Sequence, residues 1–386
     1  MTIAVLDIGK TNVKLLVCAA DGSTIEQVSR PNEVLSSPPY PHFDTDKMFD
    51  WFLDQLRDQA GRHKIERIVP VAHGAAAVVV AGKGLALPML DYEFDGPDEL
   101  AADYDALLDP FHLSFSPRLG KGLNLGRQLY WQARTFSEAF AAADAILMYP
   151  QYWAWRLSGV ARSDVTSLGC HTDLWRPGEA RFSGLVERLA WREKFPPFAK
   201  AWDVIGTLTP DLAERTALDP QTKIVCGIHD SNASLLPALL TEEKPFTVVS
   251  TGTWVITMAV GGALDRLDEA KDCLANVDVT GEPVPTARFM GGRIFAEQRD
   301  TGISEVEASD DAARRTADAL ALLDARGPIL IDGPFATNRR FLQRLQALRS
   351  GQEIKISAQP VGSAQGAALL GAWPNSRPAH RFEVFS

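Results

Sequence analysis

Cysteine is scarce in this chain: of 386 residues only Cys18, Cys170, Cys226 and Cys273 are cysteine, scattered through or beside apolar segments. No pair has metal-ligand spacing, which argues against a zinc ribbon or a disulfide scaffold and fits buried, reduced thiols of a cytoplasmic protein. Positive charge is also short. The 39 Lys and Arg are outnumbered by 49 Asp and Glu, giving a formal net charge of −10. No basic face is then available to displace counterions, so a nucleic-acid partner is not expected. A nucleotide stays allowed, because a local turn can bind phosphate inside an acidic protein. No apolar run reaches membrane-spanning length, and the N-terminus enters a strand without a charged leader, so no membrane partner is expected. Two further signatures are missing: the Gly-x-x-x-x-Gly-Lys-Ser/Thr P-loop and the dinucleotide fingerprint. The chain is too long for one core and suits two domains.

What is present begins at residue 3. Ile3 to Val17 reads as an apolar run, a polar turn and a second apolar run, a β-hairpin. Its turn, Asp7-Ile8-Gly9-Lys10-Thr11-Asn12, offers a carboxylate, a Gly that lets backbone N–H groups approach a ligand, and several donors. Alone, such a turn is usually only a turn. A third strand follows Asp21-Gly22, and Asp44 to His63 reads as an amphipathic helix capped by Thr45 or Asp46. Ile65 to Val71 is a buried strand ending at His73-Gly74, and an acidic loop runs to about Asp105. Ala161 to Trp175 reads as a polar loop.

Near Lys223 the pattern restarts, which sets expected domains at 1–222 and 223–386. A short buried strand ends at His229-Asp230, and Ser231 to Leu240 is helical, placing Asp230 where a helix dipole favours the ionised carboxylate. Phe246 to Met258 again reads strand, polar turn, strand, with Ser250 where Asp7 stands and Gly252 where Gly9 stands. Later, Asp332-Gly333-Pro334 turns the chain, and Ser363-Ala364-Gln365-Gly366 opens a helix with little side-chain bulk. Two facing turns can grip nucleotide phosphates, and a carboxylate at a helix start can accept a hydroxyl proton; phosphoryl transfer asks for little more.

These segments resemble, in order and over essentially the whole chain, the FGGY family of carbohydrate kinases. Asp7 to Lys14 is similar to the family's first phosphate motif, Gly227-Ile228-His229-Asp230 to the segment with its catalytic Asp, and Ser250 to Trp254 to its second phosphate motif. Asp332-Gly333-Pro334 with Asn338 sits where the adenosine motif belongs. The resemblance implies an α/β fold of two ribonuclease-H-like (actin-like ATPase) domains around a cleft, the second shortened. It implies ATP and Mg²⁺ as cofactors and a small sugar (a ketose, deoxyketose or polyol) as substrate, with room for a homodimer. Asp230 is the implied general base, and Asp7 the metal-side carboxylate. Gly9, Lys10, Thr11 and Asn12 with Ser250, Thr251, Gly252 and Thr253 are the phosphate cradles. Gly333, Asn338 and Gly366 are expected to border adenosine. His73, Asp91, Tyr92 and Glu93 are implied on the sugar side by position. The sequence departs from the family pattern at Lys10, where Thr is usual, at Asp91 to Glu93, which lack the family's Trp and Arg, and at the single Gly333. The nearest look is to deoxy-sugar kinases for rhamnulose and fuculose. A sugar sensor without catalysis and an actin- or chaperone-like ATPase are the alternatives. His229 is expected to pack only, and Thr166, Ser167 and His171 to be ordinary loop residues.

Overall fold

The computed structural model describes residues 1–357, 362–379 and 382–385. Its frame is two seven-stranded mixed sheets built by the same device. In the first, Thr2–Ile8 pairs antiparallel with Asn12–Ala19, which sets Asp7 opposite Lys14. Asn12–Ala19 then pairs with Thr24–Pro31, and the helix Thr45–Ala60 carries the chain over to Ile65–Ala72, which runs parallel to Thr2–Ile8. In the second, Phe246–Thr251 pairs with Val255–Val260, Pro283–Phe289 extends the hairpin, and the helix Glu305–Leu322 leads to the parallel strand Ile329–Asp332. Hairpin, third antiparallel strand, then parallel crossover: the echo seen between the two turns is an echo of whole sheets, the α/β architecture of two ribonuclease-H-like halves.

Local chemistry accounts for the elements. Thr45–Ala60 buries Met48, Phe49, Phe52, Leu53 and Leu56 on one face. Its cap is Asp44 rather than Thr45 or Asp46, because the Asp44 carboxylate accepts from Lys47 N at 2.9 Å. The acidic loop before Asp105 contains a 3₁₀ turn, Gly96–Leu100, and a short helix, Ala101–Asp105. The stretch expected as a polar loop, 161–175, is instead internal: Ser163, Asp164, Thr166, Ser167, Thr172 and Asp173 are buried. Asp164 caps the single turn Val165–Leu168 there, accepting from Thr166 N at 2.8 Å. All four cysteines are buried and none is paired.

Lys223–Val225 and Ile228–His229 pair with Ile65–Ala72, so the chain leaves the first sheet at His229, beyond the boundary expected after residue 222. The helix Asp230–Thr241 follows directly and is buried on two faces. Ala233 and Leu236 pack with Ile3, Val5 and Val69 of the first sheet, while Leu235 and Ala238 pack with Phe246, Val248 and Leu330 of the second. Ser363–Gly371 returns to lie against this helix and the first sheet. Pro237 leaves the Ala233 carbonyl without its helical N–H donor, and Gly366 lies over that carbonyl so closely that a Cβ there would sit 1.7 Å from the oxygen.

Candidate active site

Two cavities flank the second hairpin. Ser250, on its first strand, and Trp254, in its turn, line one of about 390 Å³ together with His73, Tyr92, His171 and Asp230. Thr251, Gly252 and Thr253 line another of about 830 Å³ together with Phe295, Phe335 and Asn338.

Asp230 sits at the first turn of its helix with its side chain 35% exposed to the smaller cavity. Its Oδ1 accepts from Ser231 N at 2.6 Å and faces His229 Nε2 at 3.1 Å, which leaves Oδ2 for a hydroxyl. His229 does more than pack. Its Nδ1 donates to Asn232 Oδ1 at 2.6 Å, while Asn232 spends its amide on the Val277 carbonyl. Both ring nitrogens thus face acceptors, the arrangement that suits an imidazolium. Burial opposes that charge, but Asp230 and Asn232 outweigh it and hold the His229 pKa above its ordinary value. For Asp230, burial likewise opposes the ionised form, yet His229 and the Ser231 amide hold its carboxyl below the usual value. The His229 ring fits only because residue 74 is Gly: a Cβ there would lie 2.5 Å from Nε2. From behind, Thr166 Oγ1 accepts from His229 N at 3.2 Å, so the supposed loop residue fixes the backbone before Asp230.

His73 is buried between Phe43, Tyr92 and Tyr149. Its Nδ1 donates to the Gly74 carbonyl at 2.9 Å, and its Nε2 is buried without a hydrogen-bond partner among the described residues. Burial lowers its pKa, so the ring is neutral and Nε2 is left as an acceptor of a residue that lines the cavity. His171, expected as loop polarity, lines the same cavity; Nδ1 donates to the Leu123 carbonyl at 2.8 Å, and burial with the Arg288 charge pushes its pKa down to about 4. Two neutral imidazoles offering lone pairs suit a polyhydroxy ligand.

The first turn divides its expected roles. Asp7 is buried, accepts from Ser363 Oγ at 3.3 Å on both oxygens and has Lys14 Nζ at 3.7 Å. Burial raises its pKa and the Asp230 charge adds to this, while Lys14 opposes. Gly9 closes the turn by donating to the Asn12 carbonyl at 2.9 Å, and Thr11 and Asn12 are exposed. Lys10 turns away from this group. Its ammonium pairs with Asp91 and, at 3.3 Å, with Glu93, and lies over the rings of Phe43 and Tyr92. Asp91 and Glu93, expected on the sugar, are occupied with Lys10; of that triplet only Tyr92 lines the cavity.

At the larger cavity, Thr251 Oγ1 donates to the Asp332 carbonyl at 2.6 Å and accepts from Phe335 N at 3.1 Å. Gly333, at φ +86°, approaches so closely that a Cβ would meet Thr251 O at 2.0 Å, and Gly292 approaches Gly252 O equally closely. Asn338 lines the cavity but caps the helix Arg339–Leu348, accepting from Phe341 N at 2.9 Å. Gly366 is not at this cavity; it is the helix contact described above. Sequence reading missed Gly291-Gly292 and Arg288, and it read Trp254 only as the end of the second phosphate motif, whereas the residue lines the smaller cavity.

The donor set fits the expected ligands. Asp7 is a buried carboxylate made less comfortable by a second one, the setting a cation relieves. Among the described residues no group of three or more His, Cys, Asp or Glu could hold a metal. Magnesium binds through one or two carboxylates plus phosphate oxygens and water, and Asp7 would be its protein ligand. The larger cavity has an apolar wall of Phe295 and Phe335, a helix start at Gly292 and a turn at Gly333 packed tightly against backbone, features that suit a nucleotide cleft.

The profile described as "Carbohydrate kinase FGGY, C-terminal domain" matches residues 243–317 and 304–379. A carbohydrate kinase from Novosphingobium aromaticivorans is 35% identical, with 99% of this chain and 93% of that one covered and a TM-score of 0.94. The chain belongs to the FGGY carbohydrate kinase family. L-fuculokinase of Escherichia coli (strain K12) is 24% identical over 277 residues, 68% of this chain and 57% of that protein. This chain therefore matches little more than half the length of that curated relative. A xylulose kinase from Lactobacillus acidophilus, 14% identical over 100% of this chain and 93% of its own, shares the fold at a TM-score of 0.81. No helix among the described residues is long and apolar enough to cross a membrane.

Proposed function

We propose that the protein transfers the γ-phosphoryl group of ATP to a hydroxyl of a small sugar or sugar derivative. The observation that carries this reading is the shared hairpin: one cavity with a hydroxyl-ready carboxylate and one with the shape of a nucleotide cleft lie on opposite faces of Ser250–Trp254. The acceptor lies in the smaller cavity, its hydroxyls donating to His73 Nε2 and His171. Asp230 Oδ2 takes the proton as the hydroxyl oxygen bonds to the γ-phosphorus; the bond from that phosphorus to its bridging oxygen breaks, and ADP leaves. His229 keeps Asp230 ionised and oriented, so its proton-accepting form is populated at neutral pH. Asp7, backed by Ser363 and Lys14, holds the magnesium ion. When bound, that ion supplies charge neutralisation on the phosphate oxygens. Thr251 to Thr253, the helix start at Gly292 and the turn at Gly333 bring backbone to the phosphates and the adenosine.

Asp230→Asn keeps the shape and removes the base. Acceptor-dependent ADP release should fall on the order of 10²–10⁴-fold, while ATP still binds. An unchanged rate contradicts the assignment.

A further inference from the structure

Lys10 belongs by sequence to the turn that carries Asp7, yet its side chain is engaged on the acceptor side of the molecule. The ammonium pairs with Asp91 and, at 3.3 Å, with Glu93. It also lies 5.1 Å from the centre of the Phe43 ring and 4.9 Å from that of Tyr92, both within cation–π range. The Lys10 side chain is 17% exposed and that of Asp91 8%, so removing either charge leaves the other shielded from water and uncompensated.

Both rings that receive the ammonium also meet His73, Phe43 at 5.9 Å and Tyr92 at 5.6 Å between ring centres. The backbone makes a second connection, because His73 N donates to the Ile8 carbonyl at 3.0 Å, one residue after Asp7. His73 and Tyr92 line the smaller cavity, so the turn at 7–12 is joined to the acceptor wall twice. Asn32 braces the same turn from its other side: its N donates to the Thr11 carbonyl at 2.9 Å and its Nδ2 to the Gly9 carbonyl at 2.8 Å. At the far end, Asp91 organises the loop that presents Tyr92. Its Oδ1, the oxygen paired with Lys10, accepts from Glu93 N at 3.2 Å, and its carbonyl accepts from Phe94 N at 2.9 Å.

We propose that Lys10 is a positioning residue of the acceptor site, and that through it the turn at 7–12 couples nucleotide binding to the order of the wall at 91–94. The coupling rests on the kinase reading above; the tether between Lys10 and Asp91 does not. A ligand that fixes the turn fixes Lys10, and Lys10 holds the loop behind Tyr92. By linkage, an acceptor that orders the wall tightens nucleotide binding by the same factor.

Hydrogen exchange at the Glu93 and Phe94 amides of the full chain, with and without Mg²⁺ and the non-hydrolysable analogue AMP-PNP, tests both parts. In the ligand-free protein Lys10→Met should speed exchange at these amides about tenfold, with the strand Ile65–Ala72 unchanged, and Lys10→Arg should keep most of the protection. In the wild type the nucleotide should slow exchange at both amides several-fold. In Lys10→Met that response should vanish, while calorimetry shows nucleotide affinity within a few-fold of wild type. Lys10→Met/Asp91→Asn removes both charges, so it guards against misfolding around an orphaned carboxylate; it should also lack the response. Unchanged exchange in ligand-free Lys10→Met overturns the tether, and a nucleotide response that survives in the double variant overturns the coupling. Nucleotide binding weakened on the order of 10²-fold in Lys10→Met overturns both, because that would put Lys10 on the phosphates. If the wild type binds no nucleotide, the coupling falls with the kinase reading, and the tether is judged by the ligand-free exchange alone.

Discussion

Gly74 and His229 show how one residue's smallness sets another's charge. With no Cβ at 74, the His229 ring can sit against the backbone and bring Nε2 to Asp230. The His229 ring then helps hold the Asp230 carboxyl below its usual value against its burial. Activity that needs this carboxylate falls as pH drops through its pKa, and a lowered pKa places that loss below the ordinary Asp range. His229→Gln removes the opposing charge, so the Asp230 pKa rises and the acid limb of kcat/KM moves to higher pH. A pH profile of the variant checks this; an unmoved limb would mean that His229 only packs. Sequence showed the His-Asp pair but not its geometry, because the contact depends on Gly74, some 150 residues upstream, reaching the same point. Lys10 teaches the converse. Its place in a phosphate-like turn suggested phosphate, yet Asp91 and Glu93 lie close enough to capture its ammonium, and local sequence could not report where they would fold.

At the scale of elements, both hairpins were legible because strand alternation and turn composition are local signals. The helix Asp230–Thr241 was legible as a helix, but its role as a wedge between sheets was not. That role depends on two hydrophobic faces meeting partners far apart in sequence. Gly366 was misplaced for the same reason. A small residue in a late helix suits a flat ligand or another backbone equally well, and the partner here is the Ala233 carbonyl that Pro237 leaves without a helical donor. Gly366→Ala forces the two helices apart and should destabilise the protein by about 1–3 kcal/mol. Chemical denaturation measures it; an unchanged midpoint would contradict the close packing. The segment 161–175 was misread because polar residues suggested surface, whereas Asp164 and Thr166 satisfy one another and the His229 backbone in the interior.

Across the whole molecule, two copies of one sheet design face a helix that belongs to both. Its first residue is the proposed base, and the second sheet's hairpin separates the two cavities that transfer must connect. Neither half is sufficient: His73 and Tyr92 come from the first sheet's side, and Ser250, Trp254 and Arg288 from the second. The measurement that tests this arrangement most directly follows the labelled γ-phosphoryl group of ATP in the presence and absence of five- and six-carbon sugars and sugar acids. The account predicts that label moves onto an acceptor hydroxyl, with ADP formed in equal amount and only when an acceptor is present. Label released as inorganic phosphate at the same rate with or without acceptor would contradict it.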